Sequence, residues 1–257
     1  MRAAIVLVVG VSLVPTLATA ETPSTQPTIV LVHGAWGGGW GFKEVDKMLT
    51  YDGYKVYRPT LTGLGERVHQ ANPDIDLNLH IQDVVNVILW EGLHDIVLVG
   101  HSYGGMVISG VIDRLPDRIR RAVYVDAMVP ENGEWVEAVV NPEHQPGKRL
   151  PGAVVNGMNT PAWINPTKPP PRDVPMPQKC FTAKIELKNQ EVARKVPTKY
   201  ILTVDPGKKP EDDLFYFCHL RAQQRGWKTE IMEGDHNPQW SQPKELVRLL
   251  EEAAKER

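Results

Sequence analysis

The strongest constraint on the fold is an alternation along the chain. Six short runs rich in β-branched residues occupy 28–32, 54–59, 95–100, 121–126, 199–204 and 228–233. Segments of helical period lie between or after them at 42–51, 76–91, 103–115, 212–225 and 241–255. In 76–91, Leu77, Ile81, Val84, Val85, Ile88 and Leu89 fall at helical spacing, and Asp76 stands where an N-cap belongs. Strands that alternate with helices pair in parallel and are covered on both faces. The pattern predicts an α/β domain over 28–257, with a mainly parallel sheet of about six strands. Ligands of such sheets sit beyond the carboxyl ends of the strands. Functional residues are therefore sought just after strands.

Residues 130–195 break the alternation. They hold eleven of the chain's 22 prolines, too many for long helices or central strands. The segment reads as an inserted cap of short helices and irregular stretches over the strand ends. Trp135, Trp163, Cys180 and Phe181 argue that it packs. The start of the chain reads differently. Arg2, the apolar run 3–14, Pro15 and Ala18-Thr19-Ala20 form a secretory signal over 1–20, followed by a linker over 21–27. The apolar run is too short to span a bilayer. A periplasmic or secreted protein without a stable membrane anchor after cleavage is expected.

Export makes a Cys180–Cys218 disulfide the expected state of the two cysteines. His219 adjoins Cys218, but no further ligands stand at zinc spacing, so no metal site is read. Lys plus Arg number 29 against 31 Asp plus Glu, a net charge of -2, which offers no field for nucleic acid. No cofactor motif is present, and no motif specifies an oligomeric state.

Gly100-His101-Ser102-Tyr103-Gly104 matches G-x-S-x-G between a strand run and a helix. That turn forces the serine into strained backbone angles and pushes its hydroxyl out of the sheet. Ser102 is the candidate nucleophile. An oxyanion hole needs two backbone N–H groups, one from the following residue, Tyr103, and one from the loop after the first strand. That loop, 33–40, is glycine-rich, and Ala35 is assigned the second N–H. No Gly-Lys-Ser/Thr follows, so the loop is not a phosphate cradle. His33 reads as a structural residue at a strand end.

His236 follows the last strand and is the candidate base, in the chain order Ser then His that the fold requires. His219 falls in a helix and His144 in the cap. His69, His80, His94 and His101 fit loop or helix surfaces. The orienting acid must follow a strand between Ser102 and His236. Asp126 and Asp205 both satisfy that order. Asp212 and Asp213 read as helix starts, and Asp235 lies too near the base in sequence to orient it.

Three motifs carry a family resemblance: V-H-G-A-W-G-G-G-W at 32–40, T-L-T-G-L-G-E-R at 60–67 and G-H-S-Y-G-G at 100–105. With them the chain resembles the α/β-hydrolase superfamily over nearly all of 28–255. It is closest to a bacterial esterase-like branch related to plant methylesterases and hydroxynitrile lyases. In the plant relatives the acid directly follows a threonine at the end of the penultimate strand. Aligned on Thr203, Val204 takes that place and Asp205 falls one residue late. In the bacterial branch a strand ending in Val/Leu-Asp-Ala-x-Val-Pro-Glu is typical, and 125–131 matches it. The resemblance therefore favours Asp126, with Asp205 as the alternative.

The resemblance also bears on the reaction. Lyases of this group carry a threonine where Gly34 stands and a lysine where Asn237 stands, so cyanohydrin cleavage is not expected. An aspartate-nucleophile dehalogenase or epoxide hydrolase is disfavoured by Ser102. The implied activity is serine-dependent cleavage of small, apolar carboxylic esters through an acyl-enzyme. The alternatives are a ligand-binding protein without turnover, or a lactonase, amidase or perhydrolase on the same site. Arg67 reads as a structural ion pair. Trp36, Trp40, Trp135 and Trp163 read as packing residues or as lining of an acyl pocket.

Overall fold

The structure, a computed structural model, describes residues 26–140 and 151–256. The proposed signal sequence, most of the linker and His144 lie outside the described residues. The chain runs β1 (Ile29–Val32), α1 (Lys43–Tyr51), β2 (Val56–Tyr57), α2 (Leu77–Trp90), β3 (Ile96–His101), α3 (Gly104–Arg114) and β4 (Ile119–Val125). The proline-rich region holds α4 (Val136–Val140), β5 (Ala153–Val155), β6 (Met158–Thr160), β7 (Met176–Pro177), α5 (Lys179–Thr182) and α6 (Gln190–Ala193). The alternation then resumes with β8 (Thr198–Val204), α7 (Tyr216–Gln224), β9 (Lys228–Glu233), α8 (Pro238–Ser241) and α9 (Pro243–Lys255).

Six strands form the main sheet in the order β2-β1-β3-β4-β8-β9, and every pairing is parallel. Residues alternate between its faces. Val30, Val32, Leu98 and Tyr124 belong to one core layer, with α2 and α3. Ile29, Leu31, Val97, Val99, Val123 and Val125 belong to the other, with α1 and α9. Burial on both faces explains why β1, β3 and β4 read as nearly continuous apolar runs. Asp76 caps α2 as expected, its carboxylate accepting the Leu79 N–H at 3.0 Å.

Two helices differ from expectation for local reasons. The segment at 212–225 is helical only from Tyr216. Pro210 opens a 3-10 turn, and the Asp213 carboxylate takes the Phe215 N–H at 2.7 Å, which turns the chain before the helix starts. The last helix is found within two residues of expectation as α9, and it is preceded by an unexpected short helix, α8, set apart from it at Pro243, which has no N–H to continue that turn.

The proline-rich region contains a small antiparallel sheet, β5-β6-β7, that the sequence reading lacked. Pro177 is tolerated there because β7 lies at the edge of that sheet. The region is anchored on the loop after β1. The Val174 N–H donates to the Trp36 carbonyl at 2.9 Å, the Trp36 indole N–H donates to Asn159 Oδ1 at 3.2 Å, and Phe181 stacks on the Trp36 ring.

Gly105 tests how tightly the third strand-to-helix turn is packed. A Cβ on it would lie 2.1 Å from the Met128 carbonyl oxygen, which is backbone that cannot swing aside. Gly105→Ala is expected to cost about 1–3 kcal/mol. A melting temperature lowered by roughly 5 °C is the corresponding readout. An unchanged melt would contradict this contact.

Candidate active site

The turn after β3 places Ser102 at φ 55, in the left-handed region. Such angles cost about 1–3 kcal/mol in a non-glycine residue and persist only when the surroundings enforce them. Here they do. The Ser102 N–H donates to the Val125 carbonyl at 3.3 Å, and its own carbonyl accepts from the Gly105 and Met128 N–H groups, each at 3.0 Å. A Cβ on Gly104 would lie 2.6 Å from the Val32 carbonyl oxygen, so only glycine fits beside the turn.

The loop after β1 runs along this serine. A Cβ on Gly34 would lie 2.9 Å from Ser102 Cβ and 3.4 Å from its Oγ. Ala35 follows in the same wall of the cavity, and Tyr103 precedes the first residue of α3. Tyr103 directly follows Ser102 in the chain, and Ala35 shares the cavity wall with Ser102.

His236 arrives from the loop after β9. Its Nε2 lies 3.0 Å from Ser102 Oγ and its Nδ1 lies 2.6 Å from Asp126 Oδ2. The Nδ1–H donates to the carboxylate, which leaves Nε2 as the acceptor for the serine hydroxyl. The imidazole stacks on Phe215, with ring centroids 4.9 Å apart and planes 5° apart. Its backbone carbonyl accepts from His101 Nε2 at 2.6 Å. Burial alone would lower the His236 pKa. The hydrogen bond and charge of Asp126, with the charges of Asp213 and Asp235, outweigh it and hold the pKa above 6.5.

Of the two candidate acids, Asp126 faces the histidine. It is fully buried, and its second oxygen accepts the Thr203 N–H at 3.2 Å. Its backbone is also left-handed, at φ 44. Asp205 lies past the end of β8 and pairs with Lys208 at 2.6 Å on the surface.

Several other residues depart from expectation. Cys180 and Cys218 are not bridged. Both are buried free thiols, and each turns to a different carbonyl, Ile75 for Cys180 and Val139 for Cys218. Burial pushes the Cys218 thiol up to about 12. His80 and His101 are not surface residues. His80 is fully buried between the Tyr103 hydroxyl and the Thr62 carbonyl, and His101 is 4% exposed. His33 has the structural role expected of it. Its Nε2 accepts the Leu61 N–H, its Nδ1–H donates to the Gly34 carbonyl, and burial pushes its pKa down to about 4. Arg67 holds the Thr60 carbonyl and pairs with Asp83.

A cavity of about 560 Å³ opens over Ser102 and His236. Trp36 and Trp163 line it. Trp40 instead stacks on Trp240, and Trp135 lies under Lys184. The sequence reading missed Asp213 and Gln239, which also line the cavity. Asp213 was readable only as a helix start, and nothing in the sequence marks Gln239.

A parallel sheet covered on both faces, with a strained serine after its third strand, defines a class. The match to the alpha/beta hydrolase family extends over residues 29–249, and the chain belongs to that family. It is similar to a carbendazim hydrolyzing esterase of Nocardioides sp. (strain SG-4G), 50% identical over 111 residues. That match spans 43% of this chain and 46% of the esterase's own length. Methyl jasmonate esterase 1 of Vitis vinifera is 27% identical over 87% of this chain and 95% of its own. Among solved structures, an extracellular alpha/beta-hydrolase from a Paenibacillus species superposes with a TM-score of 0.68 at 23% identity, over 90% of this chain and 100% of that one.

Proposed function

We propose that this protein is a serine hydrolase that cleaves small carboxylic esters through an acyl-enzyme. One observation carries the reading: the continuous hydrogen-bonded line from Ser102 Oγ through His236 to Asp126, opening into the cavity. Relatives named as esterases support it. His236 takes the serine proton as Ser102 attacks the ester carbonyl. The Ala35 and Tyr103 N–H groups hold the tetrahedral oxyanion, helped by the N-terminus of α3. The alcohol leaves with the proton from His236, and water then releases the acid by the same route. The aromatic residues Trp36, Phe42, Trp163, Phe215 and Trp240 in the cavity wall suit the apolar part of a small ester.

The direct test follows hydrolysis of p-nitrophenyl acetate, butyrate and octanoate, together with labelling by a fluorophosphonate. Turnover with labelling at Ser102 is expected, and the chain-length profile sizes the cavity. Folded protein inert in both assays would sink the reading.

The pH profile follows from the base. Only neutral His236 accepts the serine proton, so kcat/KM falls as pH falls through its pKa. Because that pKa is raised, the acid limb is expected to have its midpoint above 6.5. A midpoint well below 6.5 would contradict the Asp126 contact.

A further inference from the structure

Among the described residues, the wall of the catalytic cavity is electrically one-sided. Its two histidines outside the serine–histidine pair are neutral, as burial pushes His33 down to about 4 and His101 to about 3. Among the described residues no lysine or arginine lines the cavity, whereas Asp173 and Asp213 do. Neither carboxylate has an ion-pair partner among the described residues. Asp213 accepts the Phe215 N–H through Oδ1, two residues from the ring that stacks on His236. Asp173 accepts the Trp163 indole N–H through Oδ2 at 3.0 Å.

A separate observation points the same way. Gln239 lines the cavity and is only 4% exposed. Its Nε2 donates to Asn237 Oδ1 at 3.2 Å, while its Oε1 has no partner among the described residues. That oxygen is closed off as the side chain stands, and a turn of the Gln239 amide would offer it to a ligand N–H and recover the free energy of an unpaired buried acceptor. Carboxylates, an orphaned amide oxygen and aromatic faces together suit a nitrogen cation that carries N–H.

We propose that the cavity selects esters bearing a protonated amine or similar cationic N–H group, with Asp213 as the principal counter-charge. The proposal rests on the serine hydrolase reading and names its substrate class. Burial and the nearby Asp126 charge push the Asp213 carboxyl up to about 6, so it is mostly ionised at neutral pH, and a bound cation favours ionisation further. The same negative wall repels a carboxylate product and favours its release.

The test compares two thioesters of the same shape, S-[2-(dimethylamino)ethyl] thiobutyrate and S-(3-methylbutyl) thiobutyrate. They differ by a protonated nitrogen in place of a CH. Released thiol is followed near neutral pH. The cationic thioester is expected to have a kcat/KM at least about tenfold higher, expressed mainly in KM and reduced by salt. In Asp213→Asn, which keeps an oxygen for the Phe215 N–H, the ratio should fall to within about threefold of the ratio of the two thioesters' hydroxide-catalysed rates, which the ammonium raises by acidifying the leaving thiol. The ratio cancels any general effect on the base. Calorimetric binding of both compounds to Ser102→Ala protein repeats the comparison without turnover. Equal rates and equal binding would overturn the proposal, as would a preference that survives Asp213→Asn. Preferential binding of the cation by protein that neither turns over nor labels with fluorophosphonate would uphold this inference and remove the hydrolase reading. Turnover without preference would do the reverse.

Discussion

Replacing Ser102 with alanine is expected to lower ester turnover by a factor of about 10⁴ or more, with the fold retained. In the proposed mechanism the hydroxyl is the atom that attacks, and among the described residues its hydrogen bond is the 3.0 Å contact with His236 Nε2. The turn is held by Ser102 backbone groups, through bonds to Val125, Gly105 and Met128, and alanine keeps all of them. Alanine bears the same strain at φ 55 that serine does, so the melt should scarcely move. The residue of activity would come from the Ala35 and Tyr103 amides, which remain in place. Rates on p-nitrophenyl butyrate, fluorophosphonate labelling and a thermal melt check the prediction together. Turnover near the parent level from folded Ser102→Ala protein would remove Ser102 from the mechanism.

Asp126→Asn is expected to lower kcat/KM by on the order of 10³–10⁴, whereas Asp205→Asn should leave it near the parent value. Asp126 accepts from His236 Nδ1–H at 2.6 Å and from the Thr203 N–H at 3.2 Å while fully buried. An asparagine there can turn its NH₂ toward Nδ1, which fixes the imidazole in the tautomer that cannot accept the serine proton. It also removes the main influence that raises the His236 pKa. The acid limb of whatever activity remains should therefore move down, below 6.5. Asp205 only meets Lys208 at the surface. If Asp205→Asn were the damaging change and Asp126→Asn harmless, the acid would be misassigned.

Much of this architecture was legible in the chain. The six strand runs stand within a few residues of their observed limits, and β1, β3 and β4 were plainest because strands buried on both faces carry continuous apolar sequence. The Ser102 turn was legible for a different reason. A strand that runs directly into a helix leaves little room around the serine, and a Cβ on Gly100, Gly104 or Gly105 would lie within 3 Å of a neighbouring atom. His236 could be placed because it stands between the last strand run and the last helix, downstream of Ser102. In each case the information lies within about ten residues of the feature.

The acid, the thiols and the cavity wall were not legible in that way. Asp126 and Asp205 both end strands, and a shift of one residue on a strand turns a side chain to the opposite face. Their separation depends on how the ends of β4 and β8 sit under the loop that carries His236. Cys180 and Cys218 meet different carbonyls because α5 packs near Ile75 and α7 near α4, which the sequence reading of an exported chain could not supply. Asp213 is a turn former by sequence and a cavity residue by position. By itself the sequence determined the alternating sheet, the strained Ser102 turn and the place of His236, since periodicity and glycine sterics act over short stretches. Only the tertiary structure decided that Asp126 meets His236, that the cysteines stay apart and that Asp173, Asp213 and Gln239 share one wall. Those contacts join segments tens of residues apart, and close packing of the whole chain selects them.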